Sequence, residues 1–422
     1  MTTASPATGT ARPAVRDRTT RAVVTGIGVV APNGIGAADY WKAVLTGRGG
    51  LARISRFDPS GYPVKVAGEV SGYSSSRVPS RLRVQTDLWT HFAFTAGELA
   101  LADAAVDPAS MPPYELSVIT ASSSGGNAFG QREIQSLWSQ GPRHVTAYQS
   151  IAWFYAATTG QLSIRHGMKG SCGVLVAEQA GGLDALGEAR RALRDGSRLV
   201  VTGGTEAPVS PYALTCQVAG GLLSTDPDPA TAYRPFAADA TGHVPGEGGA
   251  VLIVENLAGA RDRGAPRLYG EIAGYATGFD PPPGSGLPSP LRRVIMSALM
   301  EADLAPEQID VVFADAAGTR EADAAECAAL AEVFQPHGVA VTAPKTMTGR
   351  LYAGGAPLDV ATALLAIRDR VIPPTTGVLP AREYELDLVV GAPRPDPVRA
   401  ALVVARGHGG FNSAVVVREV ED

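Results

Sequence analysis

The sequence predicts an α/β protein built from two related halves, and three observations carry that expectation. Apolar runs of strand length alternate with Ala-rich stretches of helical period along the whole chain. The runs end in glycine clusters, and the 49 glycines overall supply many tight turns. The second half then repeats the theme of the first, with a helix, an apolar strand, a glycine-rich loop and another helix. At 422 residues the chain is long enough for two domains or one large duplicated one.

The elements follow in order. Arg21 to Val30 is a buried-type strand ending in glycines. Within it, Thr25-Gly-Ile-Gly28 lacks the third glycine of a nucleotide loop, and Pro32 stands where the helix should start, so no cofactor is expected there. Trp41, Val44 and Leu45 lie on an amphipathic helix, and a second helical segment runs near Thr86 to Ala104. The strand Leu116–Ala121 meets Ser122-Ser-Ser-Gly-Gly126, then a helix from Asn127 to Trp138 with Asn127, Gly130, Ile134 and Leu137 on one face. A mid-helix glycine costs roughly 0.5–1 kcal/mol relative to alanine, so Gly130 implies close helix packing or a passing substrate. Gln140 to Thr159 carries Tyr148, Trp153, Phe154 and Tyr155, the composition of a packed interior or an interface.

The stretch Val174 to Leu183 organises the first half. A short apolar strand breaks into a turn and feeds a helix whose Leu183, Leu186, Ala189 and Leu193 share one side, with Asp195-Gly196 as its stop. Such a turn raises one side chain against the positive end of a helix dipole, where enzymes place a nucleophilic Ser or Cys. Here the raised residue is Gln179, whose amide is no nucleophile at neutral pH. Arg190, Arg191 and Arg194 are expected on the exposed side of that helix.

A strand from Ala250 to Glu255 closes the first half, and Leu257 to Arg267 reads as a linker. The expected division is a disordered leader over 1–20, an N-terminal half over 21–265 and a C-terminal half over 266–422. The second half contains the helix Leu291–Ala302, the strand Asp310–Ala314 and the loop Asp315-Ala-Ala-Gly-Thr319. The helix Ala322–Phe334 follows, then the glycine-rich Lys345 to Gly355, the helix Leu358–Arg368 and two apolar runs around Arg406 to Asn412.

Composition narrows the function classes. With 45% hydrophobic and 18% charged residues, the chain reads as a soluble globular protein with large buried surfaces. A net charge of −5 argues against a nucleic-acid binder. No run approaches 18 apolar residues, so no membrane span is expected. Cys172, Cys216 and Cys327 have no CxxC or metal spacing, which points to a reducing cytoplasm and no metal. Cys172 is expected to be a buried structural thiol. His166, His243 and His408 have no partner at metal or triad spacing and read as packed or hydrogen-bonded loop residues.

Six stretches carry a resemblance: VTGIGVVAPNGIG, VAEQAGGLDAL, GGTEAPVSP, YRPFAADATGHVPGEGGAVLIVE, KTMTGR and GHGGFNSAVVV. In this order the chain resembles the β-ketoacyl synthases of the thiolase superfamily from about Arg21 onward. More narrowly it resembles the chain length factors, or ketosynthase β subunits, of bacterial type II aromatic polyketide synthases. The resemblance implies a thiolase-like, layered αβαβα fold from two duplicated halves. It also implies that the nucleophilic cysteine is replaced by Gln179 and the two catalytic histidines by Asp315 and Arg350, while Lys345 and the surrounding glycines remain. Without thiol or imidazole pair, independent condensation is not expected.

The family further implies a heterodimer with an active ketosynthase α subunit, served by an acyl carrier protein bearing malonyl or polyketide chains. A tunnel shared by the two subunits would hold the growing poly-β-ketone. Asn127, Gly130 and Ile134 fall on the helix face that gates its depth, and the small Gly130 implies a product longer than an octaketide. Gln179 either assists malonyl-carrier decarboxylation or fills the vacated cysteine pocket. The competing expectation is a scaffold subunit that never touches the polyketide.

Overall fold

The computed structural model describes residues 20–282 and 284–421. The expected leader lies outside the described residues apart from Thr20. Ten strands form the frame. The first half supplies Ala22–Ala31, Leu116–Ala121, Cys172–Leu175, Leu199–Glu206 and Gly248–Asn256, here β1 to β5. The second supplies Gly270–Phe279, Val311–Phe313, Ala340–Thr342, Ala400–Gly407 and Phe411–Arg418, here β6 to β10.

The two sets repeat each other in space. The order is β1-β5-β4-β2-β3 in one half and β6-β10-β9-β7-β8 in the other. In each, the first two pairings are antiparallel and the last two parallel. The halves join along β1 and β6 through the pairs Val23↔Glu271 and Val24↔Gly270. An identical strand order with an identical pattern of directions is the signature of a duplicated unit.

Two helices, Glu178–Arg194 and Gly355–Asp369, fill the middle. They pack on each other, and each touches strands of both halves. Gly355 to Ile367 are all buried, so over that span this helix has no solvent-facing side, and its one buried carboxylate, Asp359, is paired with Lys345. Close approach is built in at Gly182, where an added Cβ would fall 2.4 Å from Cδ of Pro357. Outside the sheet, Leu88–Asp103 covers β1 and β5, while Leu291–Glu301 covers β6 and β10. The layers therefore run helix, sheet, helix, sheet, helix.

The glycines of Thr25-Gly-Ile-Gly28 serve this packing. A Cβ at Gly28 would lie 1.8 Å from the Ala96 carbonyl oxygen, so only glycine lets the outer helix sit this close. The supposed linker after β5 contains a helix, Leu257–Asp262, capped by the Asn256 side chain accepting from the Ala258 N–H at 2.8 Å. No described helix is long and apolar enough to cross a membrane.

Candidate functional site

The turn expected after β3 is present and strained. Glu178 has φ +49°, a left-handed conformation that costs a β-carbon-bearing residue about 1–2 kcal/mol. It is tied down on both sides. Its Oε2 accepts the His408 backbone N–H at 2.8 Å, and its Oε1 lies 3.6 Å from Nε of Arg350. Gln179 follows on the first helical turn and is 0% exposed.

The structure brings Gln179, Asp315 and Arg350 into one buried cluster, although 136 residues separate the first two. The Arg350 guanidinium donates to both Asp315 carboxylate oxygens, at 3.1 and 3.2 Å. The Arg406 backbone N–H adds a third bond to Asp315 at 2.8 Å, and Gln179 Nε2 a longer one at 3.4 Å. Lys345 donates to the Asp315 carbonyl at 3.1 Å and pairs with Asp359 at 2.9 Å. Behind the loop, the Glu326 carboxylate accepts the backbone N–H groups of Asp315 and Ala316 at 2.7 and 2.9 Å.

These contacts set the charges. Burial opposes the Asp315 carboxylate, but Arg350 and then Lys345 outweigh it and hold the carboxyl below its usual range. Arg350 is raised still further above its ordinary value, the Asp315 and Glu178 charges overcoming burial. Glu326 goes the other way, pushed up to about 7 by burial and by the charge of Asp315. The cluster is thus a locked ion pair with a carboxyl of raised pKa behind it. It holds no thiol, and its amide is turned onto a carboxylate.

A cavity of ≈ 340 Å³ opens above the pair, with Glu178, Asp315 and Arg350 among its lining residues and His243, Tyr352 and Leu223 around it. Gln179 does not line it. Neither do Asn127, Gly130 or Ile134. Those three sit on the helix Asn127–Gln140, as expected, with Gly130 buried and Ile134 44% exposed. What passes close to Gly130 in this chain is an indole, because an added Cβ would fall 2.8 Å from Cδ1 of Trp153.

With the site in view, its relatives can be named. The family profiles "Beta-ketoacyl synthase, N-terminal domain" and "C-terminal domain" match residues 19–260 and 269–378. The chain belongs to the β-ketoacyl synthase family. The tetracenomycin polyketide synthase ketoacyl synthase beta subunit of Streptomyces glaucescens is 57% identical over 399 residues, covering 94% of this chain and 98% of that one. The actinorhodin polyketide putative beta-ketoacyl synthase 2 of Streptomyces coelicolor is 54% identical over 398 residues, with the same coverage. Within the family, the chain groups with the ketosynthase β subunits of type II polyketide synthases. A solved complex of a type II carrier protein with its hexaketide-bound ketosynthase superposes with TM-score 0.85 at 27% identity, covering 95% of this chain and 100% of that one. The ishigamide ketosynthase/chain length factor gives 0.86 at 24% identity over 95% and 100%, a likeness of fold.

Several sequence expectations need correction. Cys172 is exposed; it opens β3, which among the described residues is the outermost strand at this end of the sheet. Arg190 is buried, donating to Glu301 and to the Ala273 carbonyl, both at 2.8 Å. A helix between two sheets has no wholly solvated face, so its arginine has to find partners. Tyr148, Trp153, Phe154 and Tyr155 are between 37% and 50% exposed, which excludes the packed interior and leaves the interface of the two expectations for this stretch. His243 is a buried loop residue, as expected, yet it also lines the cavity. Sequence reasoning missed Glu178 and Arg406 as site residues. The signal for Glu178 was its place directly before the raised residue, whereas nothing local marks Arg406.

Proposed function

We propose that this chain is the condensation-inactive partner of an active ketosynthase α subunit, and that it sets the length of an aromatic poly-β-ketone built from malonyl units on an acyl carrier protein. The observation that carries the reading is the cluster itself. The three positions that hold Cys, His and His in a condensing enzyme of this family hold Gln179, Asp315 and Arg350, joined here in one closed hydrogen-bonded unit. An acyl-enzyme has no sulfur to form on, and the arginine cannot serve as a neutral donor–acceptor.

A broad apolar surface supports the heterodimer. Among the described residues the outer edge of β3 carries no neighbouring strand, and Val176 just beyond it is 47% exposed. Trp153, Phe154 and Tyr155, with Trp138 at 83% exposure, lie on adjacent segments. Exposed edges and apolar patches of this extent mark interaction surfaces. Asn127, Gly130 and Ile134 belong to the helix that also carries Trp138 of this surface, which favours a wall shared with a partner over the chain's own cavity. The small side chain at 130 leads us to assign a product longer than an octaketide. Assistance by Gln179 to decarboxylation would need its amide to face the substrate, and the amide is fully buried, does not line the cavity and donates one N–H to Asp315, which favours the structural role.

The test is co-expression with a cognate α subunit, carrier protein and malonyl donor, followed by product mass. Replacement of Gly130 by phenylalanine is expected to shorten the product by at least one two-carbon unit. A scaffold that never meets the polyketide would leave the length unchanged, and that result would overturn the gate.

A further inference from the structure

The cavity above the Arg350–Asp315 pair has lost its reactive floor but keeps the features of a binding site. Its guanidinium groups are already engaged. Arg350 is held by Asp315, Glu178 and the Arg406 carbonyl. Arg406 is held by Asn412 at 3.2 Å, the Ala322 carbonyl at 3.2 Å and Asp280 at 3.5 Å. An anion entering here would meet guanidinium groups that are already paired and would face the Glu178 and Asp315 carboxylates. Leu222, Leu223 and the Tyr352 ring supply apolar wall, and the Tyr352 hydroxyl is spent on Gln217.

His243 is the exception. It is 7% exposed, lines the cavity, and stands edge-on to Tyr352 with ring centroids 6.1 Å apart. The Ala317 backbone acts on its ring in the sense of a carbonyl facing one ring nitrogen, and no side-chain hydrogen bond to another described residue engages the ring. Burial, and then the charge of Arg350, push its pKa down to about 3, so the ring is neutral at ordinary pH. A neutral imidazole that donates from one nitrogen to a backbone carbonyl accepts at the other.

We propose that this cavity binds an uncharged small molecule with an apolar body and one hydrogen-bond donor, a phenol or a secondary amide, with His243 as the acceptor. The volume suits a two-ring aromatic or a short amide-bearing arm. Binding is non-covalent, since no bond need form or break. The proposal does not depend on the chain-length reading, because ligand affinity and product mass are measured separately.

The experiment is calorimetric titration of the full-length chain, in the assembly in which it purifies, with four probes. These are 2-naphthol, 2-methoxynaphthalene, 2-naphthoate and N-butylacetamide. The donor-bearing naphthol is expected to bind about tenfold more tightly than its methyl ether, the worth of one good hydrogen bond, and the carboxylate to bind worst. In His243→Phe that preference should collapse to about one, and His243→Gln, which restores an acceptor, should recover part of it. Leu223→Trp, which fills the cavity, should abolish binding of all probes. Binding of N-butylacetamide that is lost in His243→Phe, with naphthol and its ether bound equally, would assign the amide class, and a naphthol preference with no binding of the amide the phenol class. Equal binding of naphthol and its ether with no binding of the amide would overturn the proposal. So would no binding at millimolar probe, or a preference that survives His243→Phe. If His243→Phe fails to fold, the naphthol-to-ether ratio in the parent chain and the Leu223→Trp variant still decide.

Discussion

The Arg350 guanidinium and the Asp315 carboxylate form a two-pronged ion pair, 3.1 and 3.2 Å long, with both side chains almost wholly buried. Glu178 lies 3.6 Å from Nε of Arg350 and Lys345 adds a second positive charge near Asp315, but the two-pronged contact is the closest charge pairing that either residue makes. Removing one partner leaves a bare charge behind, which costs about 3–5 kcal/mol. Arg350→Ala should therefore lower the unfolding free energy by about that amount in a denaturant titration. The double replacement Asp315→Leu with Arg350→Met, which removes both charges, should cost much less. If the single and double variants are equally destabilised, the pair is not what holds this loop.

Restoring a thiol alone should not restore reactivity. In Gln179→Cys the new sulfur would sit beside the Asp315 carboxylate in a site sealed from solvent, and both features raise a thiol pKa. Peptide mapping after iodoacetamide treatment at pH 7.5 should find Cys172 and Cys216, both exposed, alkylated and position 179 spared. Alkylation at 179 at the rate of the exposed cysteines would contradict this electrostatic account.

Gln179→Ala tests the amide directly. The structural reading expects acetyl-carrier formation by the purified complex to stay within about twofold of the parent, with a stability loss of about 1 kcal/mol for the hydrogen bond to Asp315. A fall of tenfold or more in decarboxylation at unchanged stability would assign the amide a chemical role.

Stability should decline on the alkaline side. Burial pushes Glu206 up to about 8, and the Ser123 backbone N–H donates to it. A carboxyl raised in the folded state keeps a proton that the unfolded chain gives up near pH 4.5. Stability is then greatest at low pH and is lost as pH climbs towards and through 8. Glu247 and Glu326, each raised to about 7, act in the same direction. Melting temperature should fall from about pH 5 to pH 8 and level off above that, and Glu206→Gln should make the fall shallower. Parallel curves for parent and variant would show that Glu206 does not carry the effect.

Gly130 and Trp153 offer an optical check. A methyl at position 130 would sit 2.8 Å from the indole, and the indole, being a side chain rather than backbone, can swing aside. Gly130→Ala should change the near-ultraviolet circular dichroism of the folded chain while costing no more than about 1 kcal/mol. An unchanged spectrum would mean that the ring is not where close packing puts it.

The sequence by itself determined the period of each long element, the strand-turn-helix at Gln179 and the repetition of one half in the other. Those features are local or textual: hydrophobic period selects helix or strand, and glycine marks where the backbone must turn or be approached. The tertiary structure decided what no window of sequence holds. It set Asp315 against Arg350 and Gln179 from three separate segments, and it buried Arg190, which solvent would have claimed on an isolated helix. It left Cys172 on a free sheet edge, and it brought His243 over the same cavity as Arg350. Burial and pairing are properties of the packed layers, and the charge state of every group in this site follows from them.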